Sequence, residues 1–186
     1  MRGKPLPMQT IADNVNRKSR PKILIIPNWL SAAACETLMR RWRRSHAERG
    51  YADAKGTEQF DRRRKYRFDQ VVHQSSTQKW LSSLTREALR PLGFRGGRCE
   101  AFRIGRYGCG GHFTLHTDST KGREWSIVCV LNQPTQYSGG ALKFPEIGVS
   151  MRPSAGTAIF FDPHLRHGVD PVKSGFRFVL IGFAYK

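Results

Sequence analysis

The sequence predicts a mainly β fold in which N-terminal helices precede a β core, an α+β arrangement. Apolar residues recur at helical spacing over residues 31–44 and 77–90. From residue 99 onwards, short runs of β-branched and aromatic residues alternate with Gly and Pro, which is typical of a β-sandwich or barrel. The 186 residues suit one domain with a sizeable core.

The start of the chain predicts an arm followed by a buried strand. Residues 1–20 are polar and basic, as expected of a flexible terminal arm. Residues 22–27, KILIIP, form a continuous apolar run that closes on a proline. We therefore expect a buried strand that ends at Pro27.

Each helical segment predicts one face turned towards the core. Ser31 is the predicted N-cap of the first helix, and its inward residues are Leu30, Ala34, Leu38 and Trp42. Pro91 and Gly93 should end the second helix. Its predicted inward residues are Trp80, Leu81, Leu84, Ala88 and Leu89.

Between the helices, residues 46–70 predict a long loop with one short strand. This segment contains the basic run 61-DRRRKYRFD-69. A run of this kind is often a solvated loop. A substrate lid and a contact for a polyanion are the two functional alternatives.

The β core is predicted from six segments that turn residues separate. They are EAFRIGRY (100–107), HFTLHTD (112–118), EWSIVCVLN (124–132), GALKF (140–144), GTAIFF (156–161) and FRFVLIGFAY (176–185). We expect a single domain over residues 21–186, with helical support in 21–98 and the β core in 99–186.

Composition predicts a basic, intracellular protein. Lys and Arg outnumber Asp and Glu by 32 to 14, a net charge of +18, which should attract anionic partners. The 4 cysteines show no CxxC spacing, which favours free thiols in a reducing compartment over a zinc knuckle. The chain has no secretory h-region and no apolar run near the roughly 20 residues of a membrane helix, so we expect a soluble, cytoplasmic protein without a membrane partner.

Residues 112–120, HFTLHTDST, raise the question of a metal site. On a strand, residues i and i+2 point to the same side, so His116 and Asp118 should face one way. One imidazole and one carboxylate are two parts of the 2-His-1-carboxylate triad that binds non-heme Fe(II). An HxD pattern alone is common, so the hypothesis depends on a third ligand from elsewhere in the chain.

The candidate third ligand lies in 160-FFDPHLRHGVDPVKSGFRFVL-180, where His167 begins the ordered set HxVxPVxxGxR. Earlier segments fit the pattern YxxGxxFxxHxD from Tyr107 to Asp118, the pair Leu131 and Asn132, GGxLxF from Gly139, and Pro153 with Gly156. With these motifs, which cover roughly residues 100–185, the sequence resembles the Fe(II)/2-oxoglutarate dioxygenases, specifically their prolyl 4-hydroxylase-like branch. Residues 23–38 resemble the family's opening strand and helix more weakly.

The resemblance implies a double-stranded β-helix, or jelly roll, and a role for each site residue. His116, Asp118 and His167 would hold Fe(II). Arg177 would bind the far carboxylate of 2-oxoglutarate, because a guanidinium forms two parallel charge-assisted hydrogen bonds to a carboxylate. Tyr107 and Ser126 are further candidates for contacts with the co-substrate.

The same resemblance implies hydroxylation of a substrate C–H with release of succinate and CO2, with ascorbate as a candidate reductant. A protein or peptide substrate, hydroxylated at a proline, is the leading hypothesis. The basic charge also suits a nucleic-acid oxygenase or demethylase, although 177-RFVLIGFAY-185 lacks the Asn and the second Arg of the RxNxTxR motif of base demethylases. A small-molecule or amino-acid hydroxylase and a non-catalytic binding module stay open.

Two other histidines compete for roles at this site. His164 precedes His167 by three residues, but the spacing to Arg177 favours His167 as the ligand. His112 lies four residues before His116 and shares its side if the strand is regular. An ordinary exposed histidine is the simpler reading of His112.

Overall fold

The computed structural model describes residues 9–11, 23–43, 48–49, 52–54, 57–59, 61–95 and 97–186. Helix α1 spans Ala32–Arg43 and helix α2 spans Ser75–Leu89. In chain order the strands are β1 Gln9–Ile11, β2 Ile23–Ile26, β3 Glu48–Arg49, β4 Ala52–Ala54, β5 Thr57–Gln59, β6 Lys65–Tyr66, β7 Phe68–Val71, β8 Arg103–Tyr107, β9 His112–His116, β10 Arg123–Val130, β11 Tyr137–Gly139, β12 Leu142–Phe144, β13 Val149–Met151, β14 Ala158–Phe161, β15 His167–Val169, β16 Val172–Gly175 and β17 Arg177–Tyr185.

Two antiparallel sheets make up most of the β structure. The major sheet has the order β1-β2-β14-β10-β17-β8-β7-β3, and the minor sheet has the order β13-β12-β15-β9-β6. Strands β11 and β16 form a separate ladder, and β4 and β5 form another. From β8 to β10 and from β13 to β15, consecutive strands alternate between the two sheets, so the strand order is far from the chain order, as in the predicted jelly roll.

The major sheet is buried on both faces. Along β17, Phe178 and Leu180 pack with the helix residues Leu38 and Leu81 in one apolar cluster. Val179 lies in a second cluster, together with side chains of the minor sheet such as Leu142 and Phe144. Successive side chains of β17 thus point to opposite faces of the sheet and pack in different cores. Because both faces are buried, the sequence of β17 is a nearly continuous apolar run.

Helix α1 agrees with its prediction. The backbone N–H of Ala34 donates to Ser31 Oγ at 3.2 Å, which is the predicted N-cap. Leu30, Leu38 and Trp42 are buried, and Ala34 packs against the same core. Neither helix in the described part of the chain is long and apolar enough to span a membrane.

The prediction for α2 was wrong at one residue. Leu81, Leu84, Ala88 and Leu89 face the core, but Trp80 is 42% exposed. The inward stripe runs through Leu81 and Thr85 at spacings of three and four residues, and Trp80 lies about 100° from it on the helical circumference. Its ring lies instead beside the groove between the helices, near Thr77 and Arg41.

The prediction of a long loop over residues 46–70 was also wrong. Five short strands, β3 to β7, occur in its described parts. Strand β6 adds to the edge of the minor sheet beside β9, and β7 pairs with β8 in the major sheet. Polar residues form these strands because neighbouring strands supply their hydrogen-bond partners, and no apolar alternation signals them.

The predicted N-terminal arm lies mostly outside the described residues. Gln9–Ile11 pairs antiparallel with β2 and forms the edge of the major sheet.

Candidate active site

Three side chains converge at one end of the space between the sheets. His116 ends β9, Asp118 follows two residues later, and His167 begins β15. The two histidines are direct partners across the β9–β15 pair. His116 Nε2 lies 3.5 Å from Asp118 Oδ1, and His167 Nε2 lies 3.4 Å from Asp118 Oδ2. One ligand atom from each of the three lies within 4.8 Å of the others.

Hydrogen bonds to the backbone set the tautomer of both rings. His116 Nδ1 lies 2.8 Å from the carbonyl oxygen of Thr114, and His167 Nδ1 lies 3.0 Å from that of Leu165. Because a carbonyl oxygen only accepts, each Nδ1 carries the hydrogen and each Nε2 presents a lone pair. This is the usual arrangement of histidines that bind a metal.

The donor set fits a divalent transition metal. Two Nε2 lone pairs face the oxygens of an ionised carboxylate, and such groups repel each other at these distances unless a proton or cation lies between them. Two imidazoles and one carboxylate on one face, without a thiolate, match the non-heme Fe(II) triad. These residues therefore fit the metal that the sequence motifs imply.

The ionisation of the candidate ligands is consistent with this arrangement. Burial alone would raise the pKa of Asp118, but the His116 and His167 rings, which donate hydrogen bonds and attract the carboxylate when they are protonated, outweigh it and hold that pKa well below its usual range. Burial lowers the pKa of His116, and Asp118 only partly offsets that effect. The carboxylate is thus ionised, and the His116 imidazole is neutral, near neutral pH.

A β-bulge in β9 orients the site. His116 pairs with His167 whereas Phe113 pairs with Val169, so β9 has one extra residue between the two pairs. Phe113 and His116 therefore share a face and their rings stack, with centroids 3.6 Å apart. The premise of a regular strand was wrong.

His112 and His164 both point away from the cluster. The two ring nitrogens of His112 contact the carbonyl oxygens of Gly110 and Arg63 at 2.9 and 3.0 Å. The side chain of His164 is 78% exposed and contacts Asp162. Of the two candidates in residues 160–180, the structure therefore brings His167 to the site.

Asp118 is held by a set of contacts outside the regular strand. Ser126 Oγ donates to Asp118 Oδ2 at 2.7 Å. The backbone N–H of Asp118 donates to the carbonyl oxygen of Pro163 at 2.8 Å, and Arg123 Nη1 donates to the Asp118 carbonyl oxygen at 2.6 Å. Ser126, which was predicted to contact the co-substrate, thus contacts the Asp118 carboxylate in the structure.

Arg177 and Tyr107 lie side by side inside the jelly roll. They are direct partners across the β17–β8 pair, each is 1% exposed, and the Arg177 guanidinium carbon lies 5.2 Å from the Tyr107 ring centroid. Arg177 Nη1 has no hydrogen-bond acceptor among the residues that the structure describes. A buried guanidinium with a free N–H is costly unless an anion binds it, so this position fits a carboxylate ligand.

Sequence reasoning missed a buried ionic cluster next to Tyr107. Lys65, Arg67 and Asp69 are 6%, 8% and 8% exposed, whereas Arg62–Arg64 of the same basic run are exposed. The run is therefore neither one solvated loop nor one uniform contact surface. The available signal was the alternation KxRxD over residues 65–69. On a strand it places two cations and one acid on the same face, where they can pair when that face is buried.

The comparisons with known proteins agree with this geometry. Residues 102–185 match the model of the 2OG-Fe(II) oxygenase superfamily. A PKHD-type hydroxylase from Crocosphaera subtropica is 27% identical over 114 residues, which cover 56% of this chain and 51% of that protein. The chain thus aligns with about half the length of this curated relative.

Solved structures show the same fold. A prolyl-4-hydroxylase from Pseudomonas putida has a TM-score of 0.70 at 22% identity, covering 89% of this chain and 93% of that one. A prolyl hydroxylase from Trichoplax adhaerens, solved with a hypoxia inducible factor peptide fragment, has a TM-score of 0.72 at 17% identity, covering 88% and 83%. A viral collagen prolyl hydroxylase from Paramecium Bursaria Chlorella virus-1, in a 2OG complex, has a TM-score of 0.65 at 19% identity, covering 87% and 94%. These likenesses confirm the jelly roll.

Proposed function

We propose that the chain is an Fe(II)- and 2-oxoglutarate-dependent hydroxylase, because residues 102–185 match the model of the 2OG-Fe(II) oxygenase superfamily. The observation that carries the proposal is the convergence of His116, Asp118 and His167 within 4.8 Å, together with the buried, unpaired Nη1 of Arg177. A fold alone does not define an activity, but these side chains supply a candidate metal site and a candidate anion site inside the same jelly roll.

His116, Asp118 and His167 would hold Fe(II) from one side, which leaves its other side open to ligands. When bound, Fe(II) and 2-oxoglutarate supply the oxidising chemistry, in which O2 is consumed, 2-oxoglutarate is converted to succinate and CO2, and a substrate C–H becomes C–OH. Arg177 would bind the far carboxylate of 2-oxoglutarate with charge-assisted hydrogen bonds. Tyr107, on the neighbouring strand, would add a hydroxyl contact.

Aromatic residues would keep water from the metal. Phe113 stacks on His116, and the Phe161 and Phe144 rings lie 4.5 and 5.9 Å from the His167 ring. These side chains also restrict the histidine rings to one orientation. An apolar wall of this kind strengthens the electrostatic contacts within the site.

The site can be tested without knowledge of the substrate. The metal-free protein is titrated anaerobically with Fe(II) and 2-oxoglutarate, and the metal-to-ligand charge-transfer band of the chelate is recorded. We expect the band in the wild type and its loss in His167→Ala. The exposed His164→Ala, three residues away, is the matched control and should retain it.

Arg177→Ala tests the anion site separately. We expect 2-oxoglutarate binding to weaken by about 100-fold, since a charge-assisted bidentate contact is lost in a buried site. Fe(II) binding should persist. Unchanged affinity for 2-oxoglutarate would show that Arg177 is the wrong anchor, and a folded wild type without the band would favour a non-catalytic binding module.

For the substrate we propose a protein or peptide, hydroxylated at a proline side chain. The likeness to prolyl hydroxylases supports it, as does the net charge of +18, which favours acidic segments. Succinate release, measured with proline-containing peptides and with ascorbate present as reductant, tests this substrate class. Turnover only with nucleic acid or with a free amino acid would replace the substrate and leave the chemistry in place.

A further inference from the structure

Arg67 is buried beside Tyr107, and each of its three guanidinium nitrogens donates a hydrogen bond. Its Nε and Nη2 donate to the two carboxylate oxygens of Asp69, the second at 2.7 Å. Its Nη1 donates to the phenolic oxygen of Tyr107 at 3.0 Å. Burial opposes the charge, but Asp69 and Tyr107 outweigh this and raise the pKa of Arg67 above its usual value. Arg67 is thus a fixed cation in contact with Tyr107.

The surroundings of Arg67 allow it little freedom. A Cβ atom at Gly105 would lie 2.8 Å from Arg67 Cδ and 3.1 Å from Asp69 Oδ1, so the pair lies directly against the β8 backbone. Lys65 Nζ also donates to Asp69 Oδ2, at 3.1 Å, and further restrains the carboxylate. Residues 65–69 also cross from the minor sheet to the major sheet, because β6 pairs with β9 and β7 with β8.

Two arginines that have different contacts lie near the Tyr107 ring. The guanidinium carbons of Arg67 and Arg177 lie 5.4 and 5.2 Å from its ring centroid. Arg67 is engaged with Asp69, whereas Arg177 Nη1 lacks an acceptor among the described residues. Arg177 is therefore suited to bind an anion, whereas Arg67 is suited to orient the Tyr107 hydroxyl through its hydrogen bond.

The contact with Arg67 determines what the Tyr107 hydroxyl can do. A phenolic oxygen that accepts a hydrogen bond keeps its own proton for donation in another direction. A cationic donor polarises the hydroxyl, and hydrogen bonds in a chain strengthen one another. The hydroxyl is thus prepared to donate to an acceptor on the side away from Arg67.

We infer that Arg67 is a positioning residue for 2-oxoglutarate, which orients the Tyr107 hydroxyl so that its proton is donated to the co-substrate bound by Arg177. Asp69 and Lys65 hold Arg67 in place for this role. The inference rests on the proposed function, since it requires that the cavity binds 2-oxoglutarate.

A double-mutant cycle on 2-oxoglutarate affinity tests the inference. The dissociation constant is measured anaerobically with Fe(II) for the wild type, Arg67→Gln, Tyr107→Phe and the combined variant. We expect each single substitution to weaken binding by about tenfold, the typical effect of one such hydrogen bond. The combined variant should bind no more weakly than Tyr107→Phe alone, because Arg67 acts through the hydroxyl that is already absent.

Two further variants separate positioning from general effects. Arg63→Gln removes the same charge from an exposed side chain four residues away, and its affinity should equal that of the wild type. Arg67→Lys keeps a cation beside Asp69 but lacks the planar fork that reaches Tyr107. It should weaken binding as much as Arg67→Gln, and it serves in place of that variant if Arg67→Gln does not fold.

Either of two results would overturn the inference. Unchanged affinity in the Arg67 variants would show that Tyr107 needs no positioning. An equal loss from the Arg67 substitution with and without the Tyr107 hydroxyl would show that Arg67 acts independently of it. Absence of 2-oxoglutarate binding in the wild type is a different result, because it would overturn the proposed function itself.

Discussion

At the scale of the residue, Lys65 is a buried cation whose charge opposes folding. The pKa of Lys65 is lowered to about 8, mainly by desolvation and also by repulsion from Arg67. Attraction from Asp69 acts in the opposite direction but is weaker. The ordinary value is 10.5. Between these two values the unfolded chain binds a proton that the folded chain has lost, so stability increases as the pH rises through this window.

This shift predicts the pH dependence of unfolding. From pH 8 to about 10.5, Lys65 should add about 3 kcal/mol to the free energy of unfolding. Denaturant unfolding measured across this range should show the increase in the wild type but a smaller one in Lys65→Met. The exposed Lys121→Met is the control. Equal pH profiles in Lys65→Met and the wild type would contradict the assignment.

The residues of the site differ in how well the sequence predicts them. His116, Asp118 and His167 were predictable because the two motifs that contain them have fixed internal spacing. Arg177 was predictable for the same reason, because it ends the second motif, ten residues after His167. Arg67 and Tyr107 are 40 residues apart in the chain. Their contact depends on the strands with which β6 and β7 pair, which are β9 and β8. No local pattern contains that information.

At the scale of the element, β17 carries Arg177 between two cores and depends on close packing around Gly182. A Cβ atom at Gly182 would lie 2.3 Å from Phe102 Cε1 and 2.5 Å from Phe102 Cδ1. Phe102 is fully buried, so its ring has little room to move. The strand can therefore accept only glycine at this position without rearrangement.

Gly182→Ala should therefore destabilise the protein by about 1–3 kcal/mol, the usual cost of overpacking a core. Gly93→Ala is the comparison, because Gly93 has a φ of +81° but no atom within 4 Å of an added Cβ. Its cost should come from backbone strain alone, about 1 kcal/mol. Thermal unfolding of both variants gives the ranking, and an equal or reversed ranking would contradict the steric explanation.

The elements also differ in how well the sequence predicts them. The six apolar segments after residue 99 were all found as strands, because burial on one or both faces leaves a pattern in the sequence. Only one short strand was predicted where β3 to β7 occur, because these five strands are short and mostly polar. The bulge in β9 was missed too, since an extra residue is defined only by the partner strand, here β15.

At the scale of the whole molecule, the net charge of +18 should act on the substrate more than on the co-substrate. Arg62, Arg63 and Arg64 are exposed, and the carbonyl oxygen of Arg64 accepts from the backbone N–H of Thr114, two residues before His116 of the proposed metal site. Exposed charges are screened by salt, whereas buried ones such as Arg177 are screened much less. The two steps of binding should therefore respond differently to ionic strength.

The measurement is the KM for acidic and neutral proline-containing peptides as salt rises from low concentration to the physiological range, where the Debye length is about 8 Å. For the acidic peptide we expect KM to rise severalfold, while its kcat and the KM for 2-oxoglutarate change little. The neutral peptide is the control, and its KM should stay nearly constant.

If salt affected both peptides equally, the basic surface would not select the substrate, and its charge would need a partner other than an acidic peptide. A salt-sensitive affinity for 2-oxoglutarate would instead mean that the co-substrate binds at an exposed cation, which is incompatible with Arg177 as its anchor.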